Sequence, residues 1–117
     1  MSINPTATLR TAHLVTVGPT ETTLDAFTRE ELRSAKRVTY QVHNPTAQTF
    51  AGLVYSRVRG MPDLAPSTMP DFANVAPGAT AIAHIDVEGL DEMEIRGQLD
   101  GLGGDVEVGA SRKTATP

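Results

Sequence analysis

Three histidines are the residues of this chain best suited to bind a metal ion. His13, His43 and His84 are far apart in the sequence, and each falls on a different predicted strand. Neutral imidazole is a common metal ligand, so a sheet could bring the three rings together across its strands. The alternative is that each histidine lies alone on a strand surface or at the rim of a sheet. We take this alternative as the working interpretation and expect no metal site.

Two aspartates enclose a glycine-rich segment, Asp100 to Asp105 (DGLGGD), that offers the oxygen ligands calcium prefers. The segment has only two carboxylates and is not repeated, so we expect a hairpin turn there. The chain contains neither a Gly-x-Ser-x-Gly motif, nor a phosphate-binding loop ending in Gly-Lys-Ser/Thr, nor His-Glu-x-x-His. We therefore expect a protein that is not an enzyme and uses no cofactor.

Four acidic residues, Glu88, Asp91, Glu92 and Glu94, cluster around the start of another predicted strand. Paired carboxylates can act as general acid and base. Glu92 and Glu94, however, alternate with apolar residues and have Arg96 beside them, which is typical of a solvated strand face. We expect a solvent-exposed acidic surface rather than a catalytic pair.

Basic residues form two groups in the sequence. The groups are Arg29, Arg33, Lys36 and Arg37, followed by Arg57 and Arg59. Neither group is interleaved with the aromatic residues on which nucleic-acid bases stack, and the net charge of -4 with a pI near 5.2 argues against a nucleic-acid binder. We expect these groups to face acidic protein surfaces, or only to aid solubility.

The elements that must position these side chains are mostly strands. Apolar and polar residues alternate with the period of two that half-buried strands show. The predicted strands are 37–43, 92–99 and 105–112, then 50–59 and 80–87, and also 8–17 and 22–27. Thr28 and Glu31 fit a capping box that begins a short helical turn within 29–35. An irregular proline-rich loop is expected from Gly60 to Pro70.

Short strands separated by turns predict an all-β antiparallel β-sandwich, jelly-roll-like or immunoglobulin-like, with seven to eight strands. We expect one domain over residues 1–117, with a flexible N-terminal arm (1–7) and a flexible tail (113–117). The chain has no cysteine, so disulfides and thiolate zinc sites are excluded. No apolar run reaches the length of a membrane helix and the N-terminus does not resemble a signal peptide, so a soluble, non-secreted protein is expected.

The layout of the strands resembles that of small virion proteins of tailed bacteriophages. The resemblance is carried by RVTYQVHN, AGLVYSRVRG, DFANVAPGATAIAHIDVEGLDEMEIRGQL and GLGGDVEVGASR, which together span residues 37–112, about two-thirds of the chain. It implies a β-sandwich that decorates or cements the outside of a capsid, or that belongs to a tail or fibre. The implied partners are the major capsid protein, another virion protein or further copies of this chain, without nucleic acid or membrane. The implied location is the capsid surface, after synthesis in the host cytoplasm.

Capsid decoration requires adhesive surfaces, and seven residues are candidates for contact with a partner. They are Ile3 and Pro5 in the arm, Arg57 and Arg59, and Met61, Leu64 and Met69 in the proline-rich loop. The alternative for the loop is that its apolar residues fold back onto one end of the core. An alternative function is a carbohydrate-binding module of a tail or fibre, for which Tyr55 is the only plausible stacking platform.

Overall fold

Alternating apolar residues build an all-β sandwich, as the sequence predicts. The computed structural model describes residues 7–67 and 69–114, with side chains from residue 12 to residue 113 apart from residue 68. The elements in these ranges are β1 (Ala7–Val17), β2 (Thr22–Phe27), α1 (Arg29–Leu32), β3 (Ala35–His43), β4 (Phe50–Val58), β5 (Ala65–Ser67), α2 (Pro70–Ala73), β6 (Thr80–Asp86), β7 (Leu90–Leu99) and β8 (Gly104–Thr114). Neither helix in this part of the chain is long and apolar enough to cross a membrane.

The strand pairing is that of one long hairpin rolled into two layers. β1 pairs with β8, β2 with β7, β3 with β6 and β4 with β5, all antiparallel. The hairpin then curls so that β8 also pairs with β3, and β7 with β4. The resulting sheets have the orders β1-β8-β3-β6 and β2-β7-β4-β5. This nested arrangement is the eight-stranded jelly roll, so the jelly roll is observed and the immunoglobulin-like alternative is not.

The core fills the space between the inner faces of the two sheets. The residues predicted to face inward are buried on β3, β7 and β8, and β6 contributes Ala83 and Ile85. The large core side chains include Tyr40, Phe50 and Phe72, the last supplied by α2. A one-residue slip of β3, β7 or β8 would place charged residues in this core, so the alternation fixes the register of these strands.

Two glycines make room for one of the few aromatic rings. Gly52 on β4 lies opposite Gly97 on β7, and both are buried. A Cβ added at Gly97 would clash with the ring of Phe50, and one added at Gly52 would lie 2.8 Å from the same ring. Gly52 therefore marks a close approach of a ring to the backbone, and β4 pairs regularly through this region.

A buried asparagine joins two of the turns. Asn44 is fully buried, and its side-chain amide donates to the carbonyl oxygens of Gln48 (2.6 Å) and Val75 (3.0 Å). Its side-chain oxygen accepts from the backbone N–H and the hydroxyl of Thr46, at 3.1 and 2.6 Å. Because every polar atom of this side chain has a partner, its burial fixes the β3–β4 turn against the segment before β6.

The proline-rich segment differs from the prediction of an irregular loop over Gly60 to Pro70. β5 occupies Ala65–Ser67 and pairs with β4, and α2 begins at Pro70. Pro66 is tolerated because β5 is a three-residue edge strand, and Pro70 suits the first turn of a helix, where no N–H partner is needed.

β1 also departs from the prediction, which put Leu9 in phase with Val15 and Val17. The register shifts between Arg10 and His13, so Leu9 lies opposite Ser111 whereas Val15 lies opposite Val106. Ser111 and Val106 occupy opposite faces of β8. A β-bulge therefore shifts the register within β1 and breaks the regular alternation that the prediction assumed.

Candidate interaction surface

The jelly roll separates the connections between strands into two opposite ends. The basic end is formed by residues 28–34, 59–64 and 87–89, which connect β2 to β3, β4 to β5 and β6 to β7. The acidic end is formed by residues 18–21, 44–49, 69–79 and 100–103. β1 begins and β8 ends at the basic end, because Ala7 pairs with Lys113 there.

A buried carboxylate lies at the centre of the basic end. The side chain of Asp91 is only 5% exposed, and three guanidinium groups contact its oxygens. Arg29 and Arg59 each lie 3.3 Å from the carboxylate and Arg57 lies 3.6 Å from it. Asp91 therefore joins the two basic groups of the sequence into one cluster.

Local structure explains why these groups converge. The capping box of α1 is present: the N–H of Glu31 donates to the Thr28 hydroxyl and the Thr28 N–H donates to the Glu31 carboxylate. It fixes Arg29 in the first turn of α1. The N–H of Arg59 donates to the carbonyl of Gly89 at 3.0 Å, which ties the connection after β4 to the one before β7.

The expectation that the whole acidic cluster is solvent-exposed is wrong for Asp91. Asp91 shares the inward phase of Met93 and Ile95 on β7, whereas Glu92 points outward to Arg57 at 2.6 Å. Glu94 also lies outward, where Arg96 donates to it. The inward phase of Asp91 was the sequence signal for its burial, and the surrounding arginines offset the cost of burying its charge.

The proline-rich loop is held by an arginine side chain. Arg57 donates to the carbonyl oxygen of Met61 at 2.8 Å, and its own side chain is 14% exposed. Met61 and the neighbouring Val58 are each 56% exposed. Arg57 thus fixes the backbone that presents an exposed methionine.

The three apolar candidates in this loop have different environments. Met61 is exposed, Leu64 is half-buried, and Met69 packs against the core. The interpretation that the apolar residues fold back onto the core therefore holds for Met69 and not for Met61. The arm candidates Ile3 and Pro5 lie outside the described residues.

The arginines line an open cleft at the basic end. Its volume is about 600 Å³, and its lining consists of Arg29, Arg33, Arg59, Gly60 and Asp91. Three guanidinium groups thus face one carboxylate, which leaves an excess of positive charge. Guanidinium binds carboxylates in a bidentate geometry, so the chemistry that this cleft fits is an acidic side chain or a chain-terminal carboxylate.

The structure does not bring the three histidines together as a metal site would require. His43 lies 2.8 Å from the Thr80 hydroxyl, and His84 lies 2.8 Å from the Thr39 hydroxyl, in cross-strand pairs on the outer face of one sheet. His13 lies exposed on β1. Within residues 7–67 and 69–114, no group of three or more His, Asp or Glu side chains is arranged to hold a metal ion.

The Asp100–Asp105 segment forms the predicted turn between β7 and β8. Asp100 accepts a hydrogen bond from the Thr49 N–H at 3.0 Å, and Asp105 accepts one from the Thr16 hydroxyl at 2.8 Å. Gly103 has a φ of 107°, a conformation that favours glycine. Both aspartates are exposed, Asp100 at the acidic end and Asp105 near the start of β8.

The possible sugar platform, Tyr55, is covered on one face of its ring. The Arg96 guanidinium lies 3.8 Å from the ring centroid, and the Tyr55 hydroxyl donates to Glu21 at 2.8 Å. This hydrogen bond to a carboxylate raises the pKa of Tyr55 above its usual value, with desolvation adding to the shift. The hydrogen bond to Glu94 likewise raises the pKa of Arg96. A sugar cannot stack on the ring face that Arg96 occupies.

The similarity of this chain to known proteins lies in its fold. No protein-family model and no curated protein matches the chain. Among solved structures, a protein of Bacillus endospore appendages, described as disulfide-linked pili, is similar with a TM-score of 0.53 and 14% identity, covering 95% of this chain and 90% of that one. The coat protein of Tobacco streak virus has a TM-score of 0.42 and 14% identity, covering 100% and 92%. The appendage protein shares the fold, and this chain, which has no cysteine, lacks the means to form disulfide links.

Proposed function

We propose that the protein is a structural component of a phage-like virion that binds the outside of the capsid at subunit junctions and reinforces it. The observation that carries this proposal is the convergence of contact groups at the basic end. Met61 is exposed there on a fixed backbone, Arg59 lies beside it, and the segment that contains Ile3 and Pro5 joins β1 at the same end. The pilus protein with the same fold comes from a structural assembly, which supports a structural role.

The mechanism of reinforcement is adhesion at repeated sites. A standard interface buries about 1,600 Å² in total, and an exposed apolar side chain surrounded by polar groups is a typical anchor for one. Arg57 already holds the carbonyl of Met61, so little conformational entropy is lost when the loop docks. The partner is the major capsid protein or another virion protein, and each copy adds the same contact area at another junction.

Co-sedimentation with empty capsids tests this proposal. We expect saturable binding of the full chain, and binding weakened at least tenfold by Met61→Ser, since burying a methionine contributes about 1.5–3 kcal/mol. Ile82→Ser is the matched control, because Ile82 is also exposed (47%) but lies on the outer face of the β1-β8-β3-β6 sheet. Deletion of residues 1–6 tests the arm separately.

Two results would contradict the proposal. One is that the protein neither sediments with capsids nor occurs in purified particles by mass spectrometry. The other is equal binding by the wild type and Met61→Ser, which would remove the loop from the interface. Unchanged binding after deletion of residues 1–6 would exclude only the arm.

A further inference from the structure

Charge is distributed unequally between the two ends of the sandwich. The four connections that form the acidic end contain no lysine or arginine, whereas two of the three connections of the basic end contain arginine. The basic-end connections also carry four carboxylates, which are Glu30, Glu31, Asp63 and Glu88. Asp71 and Asp100 are exposed in the connections of the acidic end, and Asp105 is exposed beside them near the start of β8. The charged residues in the connections of the acidic end are therefore all carboxylates, whereas the other end has a cleft whose lining holds three arginines and one aspartate.

The arginines of the cleft remain accessible although they contact Asp91. The side chains of Arg29 and Arg59 are 56% and 63% exposed, and Arg33 is an exposed residue. The buried carboxylate fixes the positions of Arg29 and Arg59, so an incoming carboxylate meets guanidinium groups that are already ordered. Ordered donors lose less entropy on binding than free surface arginines do.

We infer that the arginine cleft receives the acidic end of a second copy of this chain. Asp100 and Asp105 are the candidates for entering it, since Asp100 lies in the exposed turn between β7 and β8 and Asp105 is exposed near the start of β8. The two surfaces lie at opposite ends, so the contact is heterologous and builds head-to-tail rows or closed rings. This inference goes beyond the proposed function, because it concerns contacts between copies of this chain and requires neither Met61 nor the arm.

The association is weak and depends on salt. It rests on exposed ion pairs, each of which contributes little in water. Such pairs are screened when the Debye length falls from about 10 Å at 0.1 M salt to about 4 Å at 0.5 M. The protein therefore assembles at low ionic strength and high concentration and dissociates when salt is added.

Sedimentation velocity of the full chain over a range of concentrations tests the inference. We expect the weight-average sedimentation coefficient to rise with concentration at low salt and to stay at the monomer value at about 0.5 M salt. The cleft variant Arg33→Ser/Arg59→Ser should lower the association constant about tenfold. Its control, Lys36→Ser/Arg37→Ser, removes the same charge outside the cleft lining and should associate like the wild type.

The acidic-end variant is Asp100→Asn/Asp105→Asn, which keeps the oxygens that accept from Thr49 and Thr16. It should lose association, whereas the control Asp63→Asn/Glu88→Gln, at the basic end, should not. Mixed together, the cleft variant and the acidic-end variant each retain one intact surface, so they should form a one-to-one dimer and nothing larger.

Three results would overturn the inference. They are a wild type that stays monomeric at low salt, controls that lose association as much as the variants, and a mixture that stays monomeric. None of these bears on capsid binding through Met61. Equally, a failure of capsid binding with head-to-tail association intact would reject the proposed function alone.

Discussion

Replacing Asp91 by asparagine is the change that probes the basic end most directly. The variant Asp91→Asn keeps the shape of the side chain and removes the buried carboxylate that lies among three arginines. In the native protein this carboxylate contacts Arg29, Arg57 and Arg59 at 3.3–3.6 Å. The substitution therefore breaks three ion pairs at once and leaves the surrounding packing unchanged.

The size of the effect follows from the exposure of each partner. Arg29 and Arg59 are more than half exposed, so each pair contributes only about 0.5 kcal/mol. Arg57 is largely buried, but it keeps Glu92 at 2.6 Å, so it does not become an unpaired buried charge and its pair with Asp91 contributes about 1 kcal/mol. The free energy of unfolding should fall by about 2 kcal/mol in Asp91→Asn.

Urea unfolding followed by far-ultraviolet circular dichroism measures this loss, since the chain has no tryptophan to serve as a fluorescent probe. Glu92→Gln is the matched control: its side chain is 48% exposed, and the expected loss is below about 1 kcal/mol. If the free energy of unfolding of Asp91→Asn lay within about 0.5 kcal/mol of the wild-type value, or fell by less than that of Glu92→Gln, the cluster would not be organised by Asp91.

Three further predictions concern the fold and the outer face of the second sheet. Asn44→Ala should lower the free energy of unfolding, measured in urea, by about 3 kcal/mol, because four side-chain hydrogen bonds are lost. A loss under about 1 kcal/mol would contradict the interpretation of this side chain as the link between the turns. Gly97→Ala should lower the free energy of unfolding by about 2 kcal/mol or more, because the added methyl group overpacks against the ring of Phe50. The control Gly18→Ala has nothing within 4 Å of the added carbon and should keep the free energy of unfolding of the wild type. Tyr55 should titrate in NMR spectra above the usual pKa of a tyrosine, and Glu21→Gln should lower that pKa. Because the pKa is raised in the folded state, the stability that the Tyr55 hydroxyl contributes is present below about pH 10 and is lost as the pH rises through the folded-state pKa. A Tyr55 pKa unchanged by Glu21→Gln would mean that the hydrogen bond does not form.

The strands could be predicted from the sequence because each depends on a local pattern. Alternation of apolar and polar residues is strict on β3, β7 and β8, where the inner face packs on the core and the outer face meets solvent. The capping residues Thr28 and Glu31 likewise lie three positions apart, so α1 was visible in the sequence. The bulge of β1 and the three-residue β5 could not be predicted from the sequence, because each depends on the partner strand and not on its own residues.

The interaction surface could be predicted only in part. Arg57, Arg59 and Met61 are close in the sequence and lie together in the structure. Arg29 and Asp91 join them from connections that are distant in the chain, and their convergence depends on the order of strands in the jelly roll. Periodicity cannot supply that order. It could have shown that Asp91 shares the buried phase of its strand, a signal outweighed by the acidic residues around it.

A cryo-electron microscopy map of the assembled particle would show whether this chain reinforces a capsid and which of its ends makes the contact. We expect a jelly-roll density for this chain on the outer surface of the capsid, over a junction between subunits, with the Met61 loop of the basic end buried against the shell. A particle map without this density, or density in the tail, or a contact made by the acidic end with Met61 exposed, would contradict capsid reinforcement through the basic end.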